Sequence, residues 1–341
     1  MRSCNPARPA TRSPVLESRH WEPLMILEIQ HETSIEYADP VTEWLCELRM
    51  EPVSDTAQRC HSFRVNVGQH VPIHHYRDGF GNRVHHFNIL RPPTAVRILA
   101  ASVVETDDAR GGPMASQTAF AADSLGLEWD VPLEVLDYLP LRGPARHTPL
   151  LDPLLAELKP VPWMRVGMWV CQVAEFIRGK FEYARDVTDA TSPIDHLLEQ
   201  RKGVCQDFTH LMIAVLRSYG VPARYVSGYI HRENNDSQSH AWCEVWLPDV
   251  GWTGFDPTNG CPVNERFVKT AVGRDFTDVP PNKGTYRGGG AERIAVRVAT
   301  RTLDRLPSMS WHEQLAPLDV PAYAVLRTMP DYTTDAAIAQ Q

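Results

Sequence analysis

Three short segments carry residue types that together could perform acyl transfer. They contain Cys205, His240 and Asp256, in the order cysteine, histidine, aspartate along the chain. A cysteine can attack a carbonyl carbon as a thiolate, a histidine can accept and return the proton, and an aspartate can orient the histidine. These residues therefore predict a thioester mechanism on an amide bond, provided that the fold brings them together.

Cys205 lies where one helix is expected to end and another to begin. Ser192 and Pro193 are typical of a helix start, and Gly203 is typical of a stop. The next helix is predicted to begin at or just before Cys205, because apolar residues then recur at three- and four-residue spacing as far as Tyr219. In a first turn, free backbone N–H groups and the helix dipole favour a thiolate and could hold an oxyanion. Taken alone, Cys205 also fits a buried structural cysteine.

His240 is predicted to lie on a strand, on the same face as Trp242 and Trp246, because its neighbours alternate in character. The residues that follow are typical of a hairpin loop, which would pair Trp246 with Trp252. In that register Asp256 falls opposite Trp242 and on the His240 face. Diagonal neighbours across two strands lie roughly 7 Å apart, so Asp256 could accept a hydrogen bond from the imidazole and fix its tautomer.

Around these residues the chain resembles the bacterial transglutaminase-like superfamily. The resemblance rests on Gly-Val-Cys-Gln-Asp-Phe from residue 203, Pro-Ala-Arg-Tyr-Val-Ser-Gly-Tyr from 222, His-Ala-Trp-Cys-Glu-Val from 240, Gly-Trp at 251 and Asp-Pro-Thr-Asn-Gly from 256. It implies an α+β fold: a papain-like core, with helices packed on an antiparallel sheet, preceded by a β-domain. It also implies that Cys205 is the nucleophile, His240 the general acid and base, and Asp256 the orienting carboxylate.

The domain organisation follows from strand patterns and from this resemblance. Residues 25–105 predict a small β-sandwich, because the segment 27–37 alternates with period two and further strand-like runs follow it. Residues 106–149 are predicted to be a connection, and residues 150–300 the catalytic domain. The remaining stretch, 301–341, is left as a C-terminal tail of unknown role.

The first 24 residues contain four Arg and four Pro and no apolar run long enough for a signal peptide or a membrane span. We expect them to be disordered or a non-native extension, with Met25 as the functional start.

A protein that begins at Met25 is therefore predicted to keep the thermal stability of the full chain, because the first strand begins directly after it. Thermal unfolding of the two lengths tests this. A large loss of stability in the shorter protein would contradict it.

Composition limits the classes of function. The chain has 341 residues, 43% of them hydrophobic, which suffices for two ordinary cores. Its net charge of −8, from 34 basic and 42 acidic residues, gives no electrostatic case for nucleic acid or an anionic membrane as partner. Seven cysteines without a Cys-x-x-Cys motif suit a reducing cytoplasm. No calcium-loop pattern is present, and no cofactor is predicted.

A zinc site is the structural alternative for the same residues. Its candidate ligands are Cys205, His240, Cys243 and Cys261. The strand pattern argues against it, because Cys243 points away from His240 and no tight ligand spacing occurs. The pairs His74-His75 and His85-His86 are not expected to bind metal either, since adjacent strand residues point to opposite faces.

The substrate is expected to be a protein or a peptide, whereas the oligomeric state does not follow from the sequence. Hydrolysis is favoured over transfer to an amine because the chain resembles the compact bacterial type, and a catalytically inactive peptide-binding module is the remaining alternative. Gln206 is a candidate oxyanion donor or a solvent-facing side chain. Trp242 could form part of a hydrophobic wall against the substrate, or it could simply pack on the sheet. Tyr183 could line the site, or it could pack on the core.

Overall fold

A computed structural model describes residues 25–107, 116–120, 131–185, 192–233 and 238–307, with two short strands at 323–327 and 336–338. Within these residues the strands are β1 (Met25–Tyr37), β2 (Val41–Leu48), β3 (Gln58–Asn66), β4 (His74–Arg77), β5 (Arg83–Leu90), β6 (Ala95–Thr106), β7 (Glu182–Tyr183), β8 (Lys202–Gly203), β9 (Ala223–Ile230), β10 (Gln238–Leu247), β11 (Gly251–Asp256), β12 (Cys261–Pro262), β13 (Phe267–Gly273), β14 (Asn282–Gly288), β15 (Glu292–Thr302), β16 (Tyr323–Arg327) and β17 (Ala336–Ile338). The helices are α1 (Asp152–Glu157), α2 (Val166–Lys180), α3 (Ile194–Gln200) and α4 (Cys205–Ser218), with short 3-10 helices at Leu133–Tyr138, Gly143–Ala145 and Phe276–Asp278. The predictions for residues 1–24 lie outside the described residues.

Two antiparallel five-stranded sheets form the predicted β-sandwich. Their strand orders are β16-β15-β1-β6-β3 and β17-β14-β2-β5-β4. Trp44 and Phe87 of one sheet lie in the same buried apolar cluster as Ile35 and Ile98 of the other. The Trp44 and Phe87 rings meet edge to face, with centroids 5.6 Å apart, a favoured aromatic geometry. The period-two pattern of the N-terminal segment therefore led to the correct architecture.

Both ends of the chain build this sandwich, which corrects the predicted domain boundaries. β15 pairs with β1 from end to end, and β14 pairs with β2. The limits of 25–105 for the sandwich and 150–300 for the catalytic domain are therefore wrong, because residues 282–302 belong to the sandwich sheets. β16 and β17, within the predicted tail 301–341, extend the edges of the same sheets. A period-two pattern identifies a strand but does not name its partner strand.

The core domain packs helices on an antiparallel sheet of order β12-β11-β10-β9-β13, as predicted. α4 lies against β9 and β10, and residues 205–217 are all buried, whereas the apolar spacing had indicated one buried face. Two of its buried polar side chains make hydrogen bonds that hold the helix in place. The Thr209 hydroxyl donates to the Cys205 carbonyl (2.7 Å), and His210 accepts from the Phe276 N–H (3.2 Å). None of the helices described here is both long and apolar enough to cross a membrane.

The predicted connection at 106–149 is anchored, where it is described, to the turn between β10 and β11. Asp249 in that turn accepts hydrogen bonds from the Ser116 hydroxyl (2.6 Å), the Gln117 N–H (2.7 Å) and the Thr118 hydroxyl (2.7 Å). Helices α1 and α2 follow this connection. The turn that precedes β11 is thus held from outside the sheet.

Two side-chain amides join the sandwich to the edge strand of the core sheet. Gln58 donates to the Lys269 carbonyl (2.9 Å) and accepts from the Lys269 N–H (2.8 Å). Asn82 makes the equivalent pair with Val272, at 2.8 Å each. These amides occupy the positions that a further strand would use, so they protect the outer edge of β13 from pairing with other chains. An apolar cluster spans the same junction and consists of Leu27, Ile29, Val104, Tyr229, Val268 and Val298.

The start of α4 fixes the position of Cys205, as predicted. Cys205 is the first residue of the helix, and the Asp207 carboxylate in the first turn accepts a hydrogen bond from the Val204 N–H at 2.8 Å. Gly203 leaves room for this cap. A Cβ at Gly203 would lie 2.8 Å from an Asp207 carboxylate oxygen and 3.0 Å from a Leu197 methyl carbon. The glycine is therefore needed for close packing around the cap.

The helix before Cys205 differs slightly from the prediction at both ends. Pro193, and not Ser192, is the residue that immediately precedes α3. Arg201, and not Gly203, adopts the left-handed conformation that ends it, with φ at 58°. The sequence signals for the helix ends were offset by one or two residues, which is the usual uncertainty of such boundaries.

Replacing Gly203 by alanine is predicted to displace the Asp207 cap and the first turn of α4. We expect the free energy of unfolding to fall by about 1–3 kcal/mol and the alkylation of Cys205 by iodoacetamide to slow. Urea unfolding and adduct mass spectrometry measure the two effects.

Gly179→Ala in α2 is the matched control, because a Cβ there meets nothing within 4 Å and alanine is the better helix former. Its stability should be unchanged or raised. If Gly203→Ala matched the parent in both measurements, the packing argument would be wrong.

Candidate active site

His240 on β10 and Asp256 at the end of β11 form a buried hydrogen-bonded pair. The imidazole Nε2 lies 2.8 Å from Asp256 Oδ2, and the two side chains are 4% and 0% exposed. Trp246 stands opposite Trp252 in the hairpin, so the predicted register is confirmed. The expected hydrogen bond follows directly from that register.

The loop after β11 holds the Asp256 carboxylate in place. Oδ1 accepts from the Thr258 N–H (2.8 Å) and the Asn259 N–H (3.3 Å), and Oδ2 accepts from the Asn259 side-chain amide. Burial would raise the pKa of Asp256, but the charge of His240 and these hydrogen bonds hold it below its ordinary value. The carboxylate is therefore ionised and fixed in orientation.

His240 is protonated at neutral pH. Burial by itself would lower the pKa of His240, but the charge and hydrogen bond of Asp256, followed by the hydrogen bond to Cys205, raise it to about 10. The ordinary value is 6.5. The free energy that protonated His240 contributes to folding is therefore fully present below about pH 6.5. It is lost as the pH rises through about 10.

Cys205 forms a hydrogen bond with His240, so that Cys205, His240 and Asp256 make one hydrogen-bonded series. Because Nε2 is engaged by Asp256, the other ring nitrogen, Nδ1, is the one left for the sulfur. Cys205 is 2% exposed at the N-terminus of a 14-residue helix, where backbone N–H groups point toward bound anions. Gln206 is also 2% exposed, so it is buried beside Cys205 and does not face solvent. Its role as an oxyanion donor stays a prediction.

Trp242 packs behind the imidazole and not on a substrate wall. It is 1% exposed, and its ring stacks on His240 with centroids 6.3 Å apart and an interplanar angle of 29°. The Phe267 ring packs edge-on against the Trp242 ring, with centroids 5.4 Å apart. A Cβ at Gly228 would lie 2.7 Å from the indole ring, so this glycine makes room for it. The substrate-contact prediction for Trp242 is therefore corrected to packing that supports the histidine.

Tyr183 on β7 lines the cleft beside Cys205. It is 39% exposed, so packing on the core is not its main role, although its ring touches Phe208 edge-on at 6.3 Å. Burial of the hydroxyl, and after it the electrostatic interaction with Cys205, raise the pKa of Tyr183 above its ordinary value. The hydroxyl is therefore neutral and close to the sulfur.

The cleft has a volume of about 610 Å³ and includes residues that no sequence pattern had indicated. Its lining consists of Tyr183, Arg185, Ile230, Arg232, His240, Thr258 and Asn259. Asn259 could have been found, because it lies in the quoted Asp-Pro-Thr-Asn-Gly run. Arg185 and Arg232 follow strands in irregular segments, where periodicity gives no signal.

The structure separates Cys243 from the other candidate ligand on its strand, His240. Cys243 belongs to the apolar cluster on the helix side of the sheet, on the opposite face of β10 from His240. Among the described residues, no group of three or more His, Cys, Asp or Glu side chains could hold a metal ion. Of the consecutive histidines, His74 lies opposite His86 and His75 opposite His85, on β4 and β5.

Family comparisons agree with this geometry. Residues 169–257 match the family model of the transglutaminase-like superfamily, and residues 27–105 match the bacterial transglutaminase-like N-terminal region. The first match contains all three residues of the Cys205, His240 and Asp256 series. The second covers the strands β1–β6 of the sandwich almost completely.

Individual proteins extend the comparison. The uncharacterized protein ML0607 of Mycobacterium leprae is 34% identical over 280 residues, which are 80% of this chain and 97% of that protein. A protein-glutamine gamma-glutamyltransferase of Pseudomonas aeruginosa is 30% identical over 166 residues, 44% of this chain and 24% of that enzyme. A crystal structure from Cytophaga hutchinsonii, provisionally named a cysteine protease, shares the fold with a TM-score of 0.66 at 18% identity, over 89% of this chain and 98% of its own. The chain therefore belongs to the transglutaminase-like superfamily, in its bacterial form with an N-terminal β-domain.

Proposed function

We propose that this protein is a cysteine-dependent hydrolase that cleaves amide bonds in a protein or peptide substrate through a thioester intermediate, without a cofactor. The observation that carries the proposal is the hydrogen-bonded series of Cys205, His240 and Asp256. A protonated imidazole between a sulfur and a fixed carboxylate is the arrangement needed to hold a thiolate near neutral pH.

Each residue has one task in the proposed reaction. The Cys205 thiolate attacks the carbonyl carbon, and a carbon–sulfur bond forms. The carbon–nitrogen bond then breaks as His240 gives its proton to the leaving amine. Water attacks the resulting thioester, His240 takes a proton from that water, and the acid product leaves as the thiolate is regenerated. Asp256 keeps the imidazole in one orientation throughout.

The start of α4 supplies the proposed oxyanion site. A tetrahedral intermediate places negative charge on the former carbonyl oxygen, next to Cys205. Backbone N–H groups of the first turn, with no partner inside the helix, are suited to that charge. Gln206, buried beside Cys205, is the candidate for the second donor.

Water access favours hydrolysis over transfer. The cleft of about 610 Å³ is lined mainly by polar side chains, and Tyr183 at its wall is 39% exposed. Transfer to an amine requires that water be kept away from the thioester. Transglutaminase activity is the second candidate, because the Pseudomonas relative is named for it. We propose that the reaction takes place in the cytoplasm, because the described cysteines form no disulfide bond, as suits a reducing compartment.

Cys205 is predicted to react with iodoacetamide much faster than the other cysteines near pH 7, in a manner that depends on His240 and Asp256. His240→Ala removes the cation. Asp256→Asn removes the charge that raises the pKa of His240, so burial then lowers that pKa and leaves the ring neutral. We expect each variant to react at least about tenfold more slowly at Cys205 near pH 7. Adduct formation is followed by mass spectrometry across pH.

His196→Ala is the matched control, because that imidazole is exposed on α3. Its alkylation profile should equal that of the parent protein. If Cys205 reacts no faster than the other cysteines, the proposed nucleophile is rejected, and the inactive peptide-binding module becomes the better hypothesis.

Incubation of the protein with a glutamine-rich protein substrate and a labelled primary amine separates hydrolysis from transfer. We predict new amino termini or released ammonia, with little label incorporated, because water reaches the cleft. Cys205→Ser is the negative control and should abolish both products. Label incorporation as the main product would favour the transglutaminase candidate instead.

A further inference from the structure

The loop that follows β11 forms part of the wall of the cleft as well as the support for Asp256. Its residues Thr258 and Asn259 line the cleft beside His240. Both are half-buried, and their main-chain N–H groups donate to Asp256 Oδ1. The two side chains therefore lie between the Asp256 carboxylate and the space that a substrate would occupy.

The side-chain amide of Asn259 has a fixed orientation. Its Nδ2 donates to Asp256 Oδ2, the oxygen that also accepts from His240 Nε2. A carboxylate only accepts, so the NH2 group faces Asp256 and the amide oxygen Oδ1 faces away from it. No described residue donates to Oδ1, although an amide oxygen can accept two hydrogen bonds. Asn259 therefore offers a hydrogen-bond acceptor beside the imidazole.

The hydroxyl of Thr258 lacks a hydrogen-bond partner. Its oxygen is buried, and no described residue forms a hydrogen bond with it. A buried hydroxyl without a partner costs folding free energy, and such a group in a native structure calls for an explanation. A ligand bound in the cleft would supply the missing partner, because Thr258 belongs to the cleft wall.

Several contacts fix the shape of this loop. The Gly260 N–H donates to the Asp256 carbonyl at 2.8 Å and closes the turn. Gly260 has a φ of 65°, in the left-handed region that favours glycine. Arg178 of α2 packs against it, so that a Cβ at Gly260 would lie 2.8 Å from the Arg178 Cδ. Groups that are held in place before binding lose little entropy when a ligand binds.

An acceptor and a donor on adjacent residues are complementary to a peptide group, which has one N–H and one C=O. We propose that Asn259 Oδ1 accepts a hydrogen bond from a substrate N–H and that the Thr258 hydroxyl donates to a substrate carbonyl oxygen. The peptide group bound in this way lies beside the amide bond that Cys205 attacks. This inference rests on the proposed function and adds two residues that select a substrate with a second amide group next to the scissile bond.

Three alkylating reagents test these contacts without a known substrate. Iodomethane has neither group, methyl iodoacetate adds a carbonyl, and N-methyliodoacetamide replaces the ester oxygen of methyl iodoacetate with an N–H. Each reagent forms a sulfur–carbon bond at Cys205 and expels iodide. The carbonyl ratio compares the rates of methyl iodoacetate and iodomethane, and the N–H ratio compares those of N-methyliodoacetamide and methyl iodoacetate. We expect each ratio at Cys205 to exceed that of 2-mercaptoethanol by about fivefold.

Two variants separate the contacts. Thr258→Val removes the hydroxyl and keeps the main-chain N–H that donates to Asp256, so the carbonyl ratio should fall about fivefold. Its thermal stability should be unchanged or raised, because no hydrogen bond within the protein is lost. Asn259→Ala should slow all three reagents, since Asp256 loses a donor, and should in addition lower the N–H ratio about fivefold. A purely structural role for Asn259 would slow the three reagents equally.

Matched controls carry the same changes on the sandwich. Thr42→Val and Asn88→Ala alter exposed residues of β2 and β5 and should leave both ratios unchanged. A ratio that its own variant does not change overturns that contact, while the proposed nucleophile stands. A Cys205 inert to all three reagents overturns this inference together with the proposed function.

Discussion

The buried ion pair between His240 and Asp256 is the interaction on which the site depends, and it requires further hydrogen bonds to the carboxylate. Removing two charges from water costs several kcal/mol per ion, and their attraction offsets that cost only with good geometry. The loop after β11 provides it, because Thr258 and Asn259 donate to both oxygens of the Asp256 carboxylate. The protonated state of His240, and with it the chemistry proposed for Cys205, depends on this set of contacts.

The rest of the core keeps the two strands of that hairpin in register. β10 lies between β9 and β11, so the strand that carries His240 is paired on both sides. α4 packs on one face of the sheet, and on the other face Trp242 stacks against the imidazole. Gln58 and Asn82 then occupy the exposed edge of β13. The sandwich thus supports the core sheet, although Cys205, His240 and Asp256 all lie in the core domain.

Much of the site was predictable because its determinants are local. The helix beginning at Cys205 follows from apolar spacing, and the His240–Asp256 contact follows from alternation and one short turn. The position of Trp242 was harder to predict. Alternation placed it on the correct face, but only the packing of Phe267 and the space left by Gly228 show that it is covered.

The sequence by itself determined the residues proposed to react, the helix that presents Cys205 and the register of the hairpin, since each depends on neighbours within a few residues. Only the tertiary structure decided that residues 282–302 complete the sandwich and that Arg185 and Arg232 meet in one cleft. Strand partners and loop side chains are selected by contacts between segments far apart in the chain. Such contacts depend on the packing of the whole fold, and they cannot be predicted from a local periodicity.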